Sequence, residues 1–213
     1  MTQRTIEFHY DLISPFAHVA LARLEELPDD VTVRPVPVLL GAILNHWGQR
    51  GPAEISAKRL HTYRQSVFLG RQHGVELRFP PRHPFNPLKA LRLLAGTGAD
   101  LATVRRAFDF VFSDGRAPDT DAELAAFADA IGVPVSRAAD DDAKAALRDN
   151  TDRAIELGVF GVPSFVCAAD SGHEVFWGVD AFDMLLAWLA DGTLFDREPY
   201  RHLGDVTIGI ERK

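Results

Sequence analysis

Tyr10-Asp11-Leu12-Ile13-Ser14-Pro15-Phe16-Ala17 is the stretch from which the fold is read. Ahead of it, Thr5-Ile6-Glu7-Phe8-His9-Tyr10 alternates polar and apolar residues at the period of a strand. Behind it, Val19, Ala20, Ala22, Leu24 and Leu27 follow at helical spacing. Pro15 suits the first turn of that helix, where a missing N–H costs nothing. Ser14 therefore stands where a strand ends and a helix begins, its hydroxyl beside unpaired backbone N–H groups. Two readings follow. Ser14 is a plain helix cap, or it marks a place that favours negative charge, a thiolate included, because the helix dipole and the free donors point at it.

Working outward, Pro28-Asp29-Asp30 reads as a turn, and Val31 to Val38 as a second strand whose prolines suit a sheet edge. Strand, helix and strand make a βαβ unit. Asn45-His46-Trp47-Gly48-Gln49-Arg50-Gly51-Pro52 is rich in breakers and reads as a loop. Helical character then takes over from Ala53 to His73. Phe79 to Phe85 is barred from helix by its prolines. Asn86 caps a helix with Pro87 in its first turn, and further helices span Leu101 to Phe112 and Asp121 to Ile131. Asp140-Asp141-Asp142 opens another, through Leu157, as a solvated acidic start that complements the helix dipole. Strand character returns at Gly161 to Ala168. A turn near Asp170-Ser171-Gly172 leads to Glu174-Val175-Phe176-Trp177, an antiparallel hairpin, before a final helix from Phe182 to Leu189.

The chain has 213 residues, a formal net charge of -7, eight histidines and one cysteine. The acidic balance argues against general nucleic-acid affinity, and a single Cys167 rules out an internal disulfide or Cys-x-x-Cys pair. The histidines show no metal-ligand spacing, so no metal is expected, and His73 and His83 read as surface residues or loop contacts. Neither a secretory segment nor a membrane-length apolar run is evident, so the expectation is a cytoplasmic protein without a membrane partner.

The order βαβ, helical stretch, helix, hairpin, helix is that of an α/β thioredoxin-like fold with a large all-helical insertion. Residues 1–40 and 155–213 would form the thioredoxin-like part and residues 41–154 the insertion. Pro163, opening the third strand, is a candidate to face the start of the first helix. The Val162-Pro163 bond is either cis, turning the Val162 backbone outward to meet an extended peptide, or an ordinary trans proline at a strand's start.

Asp11-Leu12-Ile13-Ser14-Pro15-Phe16-Ala17, Gly158-Val159-Phe160-Gly161-Val162-Pro163-Ser164-Phe165 and Phe176-Trp177-Gly178-Val179-Asp180 together resemble the 2-hydroxychromene-2-carboxylate isomerases. These are DsbA-type members of the thioredoxin superfamily, related to the kappa-class glutathione transferases. The resemblance runs over nearly the whole chain, including Leu77 to Pro81 and His83 to Arg92. It implies glutathione as cofactor, with Ser14 in the place where redox relatives carry a cysteine. Ser14 would then donate to the glutathione thiolate, and is the residue to which a nucleophile label would attach. The resemblance implies that Val162, beside Pro163, pairs with the cysteinyl part of glutathione. Trp177, Gly178, Val179 and Asp180 would hold the γ-glutamyl end, Asp180 accepting from its ammonium or serving as a helix cap.

The substrate implied is a small aromatic-derived carboxylate lying between the two parts. Where such isomerases carry a lysine and then an asparagine, this chain has Asn45 and Gln49, and Arg50, Lys58 or Arg59 could supply the missing cation. Relatives of this kind commonly form homodimers. The competing activities are a kappa-like transferase that consumes glutathione and a non-catalytic thioredoxin-like binding module.

Overall fold

The computed structural model describes residues 3–170 and 172–210. Strand β1 (Arg4–Tyr10), helix α1 (Pro15–Arg23) and strand β2 (Val31–Pro37) form the first unit, with β1 and β2 parallel. Strands β3 (Ser164–Ala169) and β4 (Gly172–Trp177) then join antiparallel, giving the sheet order β2-β1-β3-β4. β2 lies on an edge, as Pro35 and Pro37 require, because proline has no N–H to give an outer neighbour. Ser171, in the expected turn between β3 and β4, lies outside the described residues.

Between β2 and β3 run α2 (Leu40–His46), α3 (Ser56–Gln72), α4 (Leu88–Thr97), α5 (Leu101–Phe108), α6 (Asp121–Ile131) and α7 (Asp141–Glu156). α8 (Phe182–Ala190) closes the fold. Gly132 and Gly158 stop α6 and α7 at φ 74°, a left-handed conformation that L side chains rarely adopt. The acidic start of α7 is a surface feature, with Arg137 binding Asp140 at 2.8 Å and Asp142 at 3.0 Å. Among the described residues no helix is long and apolar enough to cross a membrane.

The sheet and the helical stretch share one core. Phe8 stacks on Phe165 at 5.3 Å and on Tyr10 at 5.5 Å, and Tyr10 meets Phe108 of α5 at 5.6 Å. All four rings are fully buried, and each such side chain contributes roughly 1.5–3 kcal/mol by leaving water. The helical stretch is thus packed against the end of β1, next to the turn from Asp11 to Ser14.

Two local expectations are corrected. Asn45 and His46 are not loop residues but the last two residues of α2. Leu39, at its N-cap, carries no capping side chain. The free donors are instead met from afar, Leu40 N–H by the Asp11 carboxylate at 2.8 Å and Leu39 N–H by Thr151 Oγ1 at 3.0 Å. Pro87 sits at the N-cap of α4 instead of inside its first turn, and Asn86 Oδ1 accepts from Leu88 N–H at 3.1 Å.

Candidate functional site

Ser14 ends the β1–α1 turn as the N-cap of α1, its hydroxyl accepting from Ala17 N–H at 3.2 Å. The same hydroxyl donates across 148 positions of chain to Val162 C=O at 3.3 Å. The Val162-Pro163 bond is cis. Val162 N–H finds no backbone carbonyl among the described residues. Ser14 and Val162 are both buried, so donor, acceptor and hydroxyl meet in a low-dielectric corner at the start of a helix.

Beside this corner, Gly178 N–H donates to Pro163 C=O at 2.9 Å, which draws the segment Trp177 to Asp180 against the proline. A Cβ on Gly161 would lie 2.5 Å from Trp177 Nε1, so the indole rests directly on that glycine. Gly178 has φ 93°, and the Asp180 carboxylate folds back to where its Cβ would be. Trp177 is half exposed, and Phe160 meets it edge-on at 5.1 Å. Val179 is buried, its carbonyl held by Arg23 Nη1 at 3.1 Å. Arg23 also pairs with Glu26 and Asp183 and lies over the Phe182 ring at 4.5 Å. It fastens the end of α1 to the start of α8, a task no local pattern announces.

Asp180 is not the cap of α8. That place belongs to Ala181, and Asp180 is an exposed carboxylate one residue earlier. Asn45, Gln49 and Arg50 are exposed around the end of α2. No hydrogen bond joins them to Ser14 among the described residues. Their segment is attached to the site through Trp47, whose Nε1 donates to Val159 C=O at 3.0 Å, and through Asp11 at the helix's other end.

Asp11 and His83 are the residues whose importance the sequence did not disclose. Asp11 is fully buried, its two oxygens accepting from Ile13 N–H at 3.1 Å and Leu40 N–H at 2.8 Å. Burial pushes its carboxyl up to about 7, against the two N–H bonds that favour the charge. His83 is not a surface residue but a loop contact that reaches the turn before Ser14. Its Nε2 lies 2.7 Å from Ile13 C=O and its Nδ1 2.9 Å from the Tyr63 hydroxyl. Its ring packs among Phe79, Phe85 and Phe112. Burial holds its pKa below the ordinary histidine value, opposed by the Ile13 carbonyl and assisted by the charge of Arg59. Cys167 is buried in β3, and desolvation pushes its thiol up to about 12, so it offers no thiolate.

A family model described as a DSBA-like thioredoxin domain matches residues 5–190. The chain is 29% identical over 190 residues to the 2-hydroxychromene-2-carboxylate isomerase of Pseudomonas putida, covering 84% of this chain and 91% of that protein. It is 24% identical over 199 residues to glutathione S-transferase kappa 1 of Caenorhabditis elegans, covering 84% and 88%. A solved 2-hydroxychromene-2-carboxylate isomerase superposes with a TM-score of 0.73 at 24% identity, covering 96% of this chain and all of that one, a likeness of fold.

Proposed function

The chain belongs to the DSBA-like thioredoxin domain family, and from that premise we propose that it is a glutathione-dependent cis–trans isomerase of a 2-hydroxychromene-2-carboxylate-like unsaturated keto acid. The observation that carries this reading is the bond from the Ser14 hydroxyl to the Val162 carbonyl, made where redox relatives keep a cysteine.

The residues present fit glutathione. Val162 offers to the cysteinyl backbone a carbonyl and an N–H that has no backbone partner among the described residues, as an added strand would require. Asp180 offers an exposed carboxylate to the γ-glutamyl ammonium, and Trp177, Gly178 and Val179 shape the adjoining wall. Bound there, glutathione would supply the thiolate for reversible addition to the conjugated double bond. Ser14 does the rest of the work. With the Val162 carbonyl engaged by the cysteinyl N–H, the serine hydroxyl would be free to donate to sulfur. The start of α1 adds its dipole to the same charge. Ser14 acts as a hydrogen-bond donor and not as a nucleophile, since no basic side chain reaches its hydroxyl among the described residues.

The acceptor's carboxylate requires a cation. Arg59 of α3 is exposed, is oriented by a bond from its Nε to Ala53 C=O at 2.6 Å, and its charge reaches Tyr63, where it opposes the rise that burial causes, and His83, where it adds to the fall. On this reading Arg59 would supply that cation from α3, and Asn45, Gln49 and Arg50 would border the same ligand from α2. Arg59→Ala should raise KM for the carboxylate substrate about tenfold, the worth of one charge-assisted hydrogen bond, with kcat little changed. Arg59→Lys should recover part of it. An unchanged KM would move the anchor elsewhere.

The reading as a whole is tested by assaying 2-hydroxychromene-2-carboxylate with and without glutathione while titrating free thiol. Isomerisation requires a rate that depends on glutathione and a thiol concentration that stays constant. A falling thiol concentration would make the protein a kappa-like transferase, and equal rates without glutathione would remove the thiol altogether.

A further inference from the structure

Ile13, the residue before Ser14, is gripped on both of its peptide groups. Its N–H donates to Asp11 Oδ1 at 3.1 Å, and its C=O lies 2.7 Å from His83 Nε2. That carbonyl belongs to the peptide plane whose other end is Ser14 N–H, which donates to Asp11 C=O at 3.0 Å. A tilt of the plane would swing the serine. Because a carbonyl can only accept, Nε2 must carry the proton. A neutral ring then leaves Nδ1 as an acceptor, facing the Tyr63 hydroxyl at 2.9 Å. Tyr63 also lies 2.8 Å from the His83 carbonyl, so its single proton serves either oxygen or nitrogen without leaving the residue. Its ring meets Phe79 at 4.4 Å, tilted by 33°, and Phe79 packs edge-on against the imidazole.

We propose that His83, oriented by Tyr63, is a positioning residue that sets the angle of the Ser14 hydroxyl from the helical insertion. The serine is then held in a vice. Asp11 grips from the sheet side and His83 from the insertion, across 70 positions of chain. The insertion would therefore tune the thiolate-stabilising donor as well as wall the substrate, so that a ligand pressing on α3 near Tyr63 is felt at Ser14. The thiol readout of this proposal rests on the glutathione reading above, whereas the placement of the turn does not.

The test compares the full chain with His83→Leu, His83→Gln and Tyr63→Phe by amide hydrogen exchange over residues 13–18. β3 serves as the internal control. A second arm follows the thiolate absorbance of added glutathione against pH. His83→Leu should speed exchange over 13–18 about tenfold, the loss of one hydrogen bond, with β3 unchanged. It should also move the bound thiol's titration upward. His83→Gln, whose amide N–H can still reach Ile13 C=O, should restore both. Tyr63→Phe, which removes one oxygen and keeps the ring, should show a smaller change of the same sign, and decides the matter if the leucine variant does not fold. Exchange equal to wild type over 13–18 in His83→Leu and Tyr63→Phe, or a glutamine variant no better than leucine, would overturn the proposal. If the wild-type chain takes up no glutathione, the function reading fails and the exchange arm still decides for or against His83.

Discussion

Replacing Ser14 by alanine should lower the glutathione-dependent rate about a hundredfold or more, the usual consequence of deleting one donor aimed at developing or bound negative charge. The bound thiol should titrate at least one unit higher, each unit corresponding to about 1.4 kcal/mol of preference for the charged form. Alanine also removes the cap on Ala17 N–H, which costs about 1 kcal/mol of stability. The two effects separate in Ser14→Asp. Aspartate is a good N-cap, so the melting temperature should return toward wild type, yet its carboxylate would repel the thiolate and the rate should stay low. A rate restored together with the melting temperature would mean that Ser14 matters only as a cap. Unchanged thiol titration in both variants would remove serine from the chemistry.

The second large effect belongs to Asp11. Asparagine can accept only at one atom, so Asp11→Asn sets an amide NH2 against either Ile13 N–H or Leu40 N–H. One buried donor left unpaired costs about 1–3 kcal/mol. The pH dependence carries the sharper signature. Asp11 titrates at about 7 in the fold against an ordinary 3.8, because burial disfavours its charge. Its contribution to stability is therefore fully present below pH 3.8 and lost as pH rises through 7. Wild type should exceed the asparagine variant most near pH 4.5, with the gap narrowing toward pH 8. Glu7, held near 2 first by its bond to His9, acts the other way but only below about 4.5, outside that window, and is common to both proteins. Chemical denaturation of the pair at several pH values measures the gap. A constant or widening difference would mean that the carboxylate is stabilised in place by its two N–H bonds.

Much of this architecture could be read locally. The Ser14 cap, the stop at Gly132, the acidic opening of α7 and the edge prolines of β2 are each written in neighbouring residues, whose chemistry acts within one turn or one strand. What escaped reading is what tertiary contacts decide. α2 lacks a capping side chain of its own and is finished by Asp11 and Thr151, 29 and 112 positions away. His83 follows two prolines in a stretch that looks like linker, and its partner Ile13 is separated from it by the whole of α1, β2, α2 and α3. Asp180 carries cap chemistry one residue too early, because the backbone turns at Gly178 before α8 begins. The candidate site was legible where one strand end and one proline carry it, and illegible where the insertion reaches in.

The chain's single thiol, Cys167, lies sealed in β3 at 1% exposure. On the glutathione reading, an exposed cysteine would present a rival to the visiting thiol. Mixed disulfides need an accessible thiolate, and Cys167 provides neither access nor charge. Swings in the redox balance of its surroundings would change how much reduced visitor is available and leave the host's own thiol out of the exchange.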